Sequence, residues 1–149
     1  MTTHTIRLHR IIRAEPAKVF RAFTEAAAMA KWNAPHGFTC TIEHLDARAG
    51  GAFRMAFTNF SSGKSHSFGG VYRELVPGER LVYSDRFDDP SLPGEMITTV
   101  TLRPVIGGTE LNLEQAGVPA AIPAEMCYLG WQESLGQLAQ LVEPVIPDC

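Results

Sequence analysis

Enzyme chemistry needs a nucleophile, an acid–base pair or a metal, each with a partner at a fixed offset, and this 149-residue sequence carries none as a contiguous motif. It has no G-x-S-x-G elbow and no G-x-x-x-x-G-K-S/T phosphate loop. His4, His9, His36, His44 and His66 form no H-E-x-x-H pair, and Cys40, Cys127 and Cys149 form no C-x-x-C, so neither a metal nor a cofactor is expected. His36 and Cys40 are spaced as half a metal site, for which a loop histidine and a strand cysteine are the simpler account. The polar residues worth weighing are those whose register turns them inward, because a buried polar group costs energy until it finds a partner. Gln115 continues the face of Leu111 and Leu113, Thr98 shares the face of Val100, and Arg10 falls on the register of Leu8 and Ile12. Glu74 lies on the face of Tyr72 unless a bulge near Gly69-Gly70 inverts the register. Such groups orient a ligand carboxylate, hydroxyl or amine; alternatively, Arg10 and Glu74 pair with each other or extend to water. The densest charge cluster, Asp85-Arg86-Phe87-Asp88-Asp89, reads as a solvated strand end and loop.

The elements that must position these residues follow from period and punctuation. Ile6, Leu8 and Ile12 alternate through Thr5–Arg13, a strand broken by Ala14-Glu15-Pro16. Val19, Phe20 and Phe23 then recur at helical spacing behind a proline, and Thr24 can cap a second short helix reaching Trp32, before Asn33 and Pro35. Strands follow over Phe38–Asp46, Ala52–Phe60, His66–Val76, Arg80–Phe87, Met96–Arg103 and Glu110–Gln115. Short glycine-containing turns join most of them, which makes the sheet antiparallel; Pro77-Gly78 suits a type II turn. After the Gly117-Val118-Pro119 break, a long helix runs from Pro123 to about Glu143, with Tyr128, Trp131, Leu135, Leu138 and Val142 on one stripe. The order β-α-α-β(6)-α describes one α+β domain over residues 1–149, in which the closing helix is the long cover for the apolar face of the sheet.

Composition narrows the partners. The sequence is 45% hydrophobic, enough for a substantial core, and its 13 basic and 16 acidic residues leave a net charge of −3 without forming a stripe. Nucleic acid is therefore not an expected partner, and no apolar run approaches a membrane span. Three widely spaced cysteines and no recognisable leader fit a cytoplasmic protein without a disulfide framework.

Several motifs, in this order, resemble one superfamily. They are Ile12-Arg13-Ala14-Glu15-Pro16-Ala17-Lys18-Val19-Phe20, Lys31-Trp32, Gly50-Gly51, Gly70-x-Tyr72-x-Glu74-Leu75-x-Pro77-x-Glu79-Arg80-Leu81-Val82-Tyr83, Gly108-Thr109-Glu110-Leu111, and Gly130-Trp131 with Ser134-Leu135. The pattern is similar to the START-like helix-grip (SRPBCC, Bet v-like) superfamily, and within it to homologues of the activator of heat-shock-protein-90 ATPase, as in that activator's C-terminal domain. The resemblance implies a curved antiparallel sheet gripping the C-terminal helix, with a small apolar ligand held between them. On that expectation Tyr128 and Trp131 line the cavity from the helix, Phe57, Tyr72, Tyr83 and Met96 line it from the strands, and Trp32 stands near its mouth. Ordinary core packing is the alternative for each of these aromatics. Other implied activities are a cyclase- or hydrolase-type enzyme using Gln115, Glu74 and Arg10, and a chaperone-associated interaction domain. An exposed apolar surface would serve either a chaperone or a homodimer.

Overall fold

The computed structural model describes residues 3–148 of the chain. Its elements are β1 (Thr3–Ile12), α1 (Pro16–Thr24), α2 (Ala26–Trp32), β2 (Phe38–Leu45), β3 (Ala52–Asn59), β4 (Ser65–Val76), β5 (Arg80–Phe87), β6 (Met96–Val105), β7 (Gly108–Pro119) and α3 (Ala124–Val142). The strands form one antiparallel sheet in the order β1-β7-β6-β5-β4-β3-β2, so β1 and β2 are its edges and the two short helices carry the chain between them. This is the curved sheet and long closing helix of the helix-grip α+β class. Among the described residues, no helix is long and apolar enough to cross a membrane.

Two local expectations are corrected. Thr24 does not cap α2: its hydroxyl donates backward to the Phe20 and Arg21 carbonyls, and Glu25 occupies the cap position without a capping bond from its side chain, which binds Arg21 instead. The Gly117-Val118-Pro119 segment does not end the sheet; β7 runs through it, pairing Val118 with His4 and Pro119 with Thr3. Gly117 supplies a positive φ of 80°, bending the strand without terminating it. The Pro77-Gly78 turn is closed by the Glu79 amide donating to the Val76 carbonyl at 2.9 Å, with Gly78 at φ 75°.

The helix α3 packs unequally along its length. Its buried residues, Ser134, Leu135, Leu138, Ala139 and Val142, all fall in its C-terminal half. There Leu135, Leu138 and Val142 share a core with Val19 and Phe23 of α1 and with inward residues of β5, β6 and β7 such as Leu81, Val100 and Leu111. Before Ser134 no residue of α3 is fully buried. The α2–β2 connection is tied to the middle of the helix: Ser134 Oγ donates to the Asn33 carbonyl at 2.8 Å, and Gln137 Nε2 donates to the Trp32 and Ala34 carbonyls at 2.8 and 2.6 Å. These bonds satisfy carbonyls freed where α2 ends.

Candidate functional site

Where α3 leaves the core, a cavity of about 210 Å³ separates it from the sheet. The helix contributes Met126, Cys127, Gly130, Trp131 and Ser134, positions that recur every three or four residues and form a single face. Opposite stand Phe53, Met55 and Phe57 of β3, Phe68 and Tyr72 of β4, Tyr83, Asp85 and Phe87 of β5, Met96 of β6 and Gln115 of β7. Met29, Asn33 and Pro35 close one side. Gly130 lies at the centre of the helical face, between Met126 one turn before it and Ser134 one turn after it, and a Cβ at Gly130 would meet no atom within 4 Å. The missing side chain helps keep the gap open.

The aromatics of the sheet wall brace one another. Phe57 meets Phe68 edge-on at 4.9 Å, and Phe53 meets Tyr83 edge-on at 5.7 Å. Tyr72 donates its hydroxyl to the Phe23 carbonyl at 3.1 Å. Burial pushes the phenols of Tyr72 and Tyr83 upward, with the charge of Asp85 next in effect at Tyr83. A polar chain crosses from helix to sheet: Trp131 Nε1 donates to Gln115 Oε1 at 3.0 Å, and Gln115 Nε2 donates to Thr98 Oγ1 at 3.2 Å. Each member of that chain answers the next.

Asp85 is different. Only 6% of it is exposed, and its Oδ1 is, among the described residues, the one buried side-chain nitrogen or oxygen without a hydrogen-bond partner. The register explains the isolation: its cross-strand neighbours are Gly70 on β4 and Met96 on β6, neither of which offers a donor side chain. Gly70 must remain small, because a Cβ there would overlap the Ser84 carbonyl oxygen. Burial, reinforced by the nearby charge of Glu95, pushes the Asp85 carboxyl up to about 7.

Phe57, Tyr72, Tyr83, Met96, Gln115 and Trp131 are brought together on the cavity wall. The remaining candidates lie elsewhere, each for a local reason. Trp32 is not at a mouth but fully buried against α1, donating from Nε1 to the Ala22 carbonyl at 2.8 Å. Tyr128 turns to the β1 edge, where its hydroxyl accepts from the Arg7 amide at 3.2 Å. Thr98 is covered by Gln115. Arg10 keeps its inward register, yet its guanidinium lies 4.0 Å from the Cβ position of Gly136, beside the closed half of α3. Glu74 is displaced by a bulge at Arg73, not at Gly69-Gly70: Tyr72 pairs with inward Tyr83, whereas Glu74 pairs with the next residue, Val82, and binds Arg80 Nε at 3.2 Å. Arg10, Glu74 and Gln115 therefore do not assemble, and Arg10 and Glu74 do not pair.

Asp85 is the site residue the charge-cluster reading missed. It belongs to β5, two residues beyond Tyr83, and strict alternation from that inward tyrosine is the signal that turns it into the cavity. Phe87 of the cluster also lines the cavity, whereas Arg86, Asp88 and Asp89 are exposed, with Asp88 paired to Arg54.

Known proteins resemble the chain in sequence and fold. The family described as Activator of Hsp90 ATPase homolog 1-like protein matches residues 13–143. The human protein named Activator of 90 kDa heat shock protein ATPase homolog 1 is 31% identical over 132 residues, covering 87% of this chain and 34% of the human one. The chain thus spans about a third of that relative's length. The crystal structure of a Chromobacterium violaceum protein is 59% identical with a TM-score of 0.94, covering 95% of this chain and 98% of that one. The structure of the AHSA1 protein from Silicibacter pomeroyi, at 19% identity and a TM-score of 0.80 over 93% of this chain and 96% of that one, shares the fold.

Proposed function

This chain belongs to the family of Activator of Hsp90 ATPase homolog 1-like proteins, and within that fold we propose that it binds one small hydrophobic or aromatic molecule between the sheet and α3. The observation that carries the reading is the gap of about 210 Å³ beneath the N-terminal half of α3, walled by aromatics and methionines. A cavity of about 150 Å³ lined by apolar side chains holds benzene, so this one has room for a single ring with a short substituent.

Occlusion tests it. Gly130→Leu starts a side chain on the cavity face, where its Cβ would have no atom within 4 Å. Because glycine costs a helix interior about 1 kcal/mol, the variant alone should be as stable as the parent or slightly more so. Toluene at saturating concentration should raise the melting temperature of the parent and not that of Gly130→Leu. Equal rises in both, or none in the parent, would remove the site.

A second reading, contact with a chaperone, is supported by the human relative's name and by the exposure of Met126 (62%) and Leu129 (57%) on α3. Leu129 does not line the cavity. Leu129→Ser is therefore expected to abolish co-elution with an Hsp90-type chaperone while leaving the toluene response intact; absence of co-elution in the parent ends this reading.

A further inference from the structure

A purely apolar guest needs no carboxylate, yet the cavity wall contains one. Asp85 is buried, has an unpartnered oxygen, and is flanked across the ladder by a glycine and a methionine. Among the described residues, no lysine, arginine or histidine lines the cavity. The surrounding titratable groups leave the positive role unfilled. Tyr83 on its own strand and Tyr72 on β4 are phenols held neutral by burial, and the Cys127 thiol on α3 is likewise pushed upward. At the start of β6, Glu95 is committed to Arg73 at 2.7 Å. β7 presents Gln115, whose amide is already engaged by Trp131 and Thr98. Aromatic faces on β3, β4 and β5 favour a cation over an anion.

Resting on the cavity reading above, we infer that the guest is a small amine with a single ring or short apolar body, its ammonium seated on the Asp85 carboxylate. The ammonium supplies both the missing donor and the missing positive charge. Folding has already stripped water from the carboxylate, so binding need not desolvate it again, and the interaction is pre-organised. Near neutral pH the carboxyl is part-protonated, and an arriving ammonium displaces that proton to solvent. Amine affinity should therefore rise with pH up to about 7 and level off above it.

Calorimetric titration with 2-phenylethylamine, propylbenzene and acetophenone, at pH 5.5 and 8, tests the inference separately from the cavity itself. At pH 8 the amine should bind the parent at least ~10-fold more tightly than propylbenzene, as expected for hydrogen bonds to a charged group. That preference should shrink at pH 5.5 and vanish in Asp85→Asn, which keeps the shape and continues to bind propylbenzene. Propylbenzene binding as tightly as the amine, or acetophenone preferred to both, overturns the amine assignment and leaves the apolar cavity standing. Failure of all three probes to bind the parent overturns both readings.

Discussion

Trp32→Ala is expected to cost about 3–5 kcal/mol of folding free energy, the usual range for emptying a buried tryptophan site. The side chain is 0% exposed, meets the Phe23 ring edge-on at 4.8 Å and 71°, and donates its indole N–H to the Ala22 carbonyl. Alanine would remove the ring, leave a cavity between α1 and α2, and strip the donor from a carbonyl near the end of α1. At roughly 2–4 °C per kcal/mol for a chain of this size, the melting temperature should fall by about 6–20 °C. Urea unfolding followed by circular dichroism reads the loss directly. A change below about 1 kcal/mol would mean that Trp32 stands in an open site, as its expected place near the cavity mouth would require.

The second large effect has the opposite sign. Burial raises the folded-state pKa of Asp85 from 3.8 to about 7. Between those values the folded chain keeps the proton that the unfolded chain has lost, so this group's contribution to stability is greatest below about pH 4 and is lost as pH rises to about 7. Asp85→Asn removes the cost of burying the charge. It should match the parent near pH 3.5 and exceed it by on the order of 2–4 kcal/mol at pH 8. Asp88 and Glu110, held below the usual carboxylate range first by their hydrogen bonds to Arg54 and Arg103, add a slope of the other sign. Both are present in parent and variant, so the difference between the two stability curves isolates Asp85. A difference that stays flat with pH would show that the carboxyl is not buried as described. A carboxylate that destabilises the fold above neutral pH while facing a cavity fits a stability–function trade-off.

Local chemistry already marks most of the architecture. Alternation through Phe53, Met55 and Phe57 gives a strand face that the cavity uses, and Val19, Phe20 and Phe23 give the buried side of α1. The Leu135, Leu138 and Val142 spacing identifies the closed half of α3, and continuing it back to Trp131 reaches the cavity. Glu74 and Tyr128 show where such reasoning ends. One inserted residue at Arg73 moves Glu74 to the other face, and at 3.6 residues per turn a single step carries Tyr128 from the cavity side to the β1 edge.

What the amino-acid order determined by itself is, for most residues, direction: the run of strands and helices and the inward faces that carry Gln115 on β7 and Trp131 on α3. What only the tertiary structure decided is distance. The same periodicity runs through both halves of α3, yet one half is packed solid and the other stands off a sheet wall built from strands far away in sequence. Whether Asp85 meets water, an arginine or an apolar void depends on the register of Gly70 and Met96 across two ladders, and no local pattern around Asp85 contains that information.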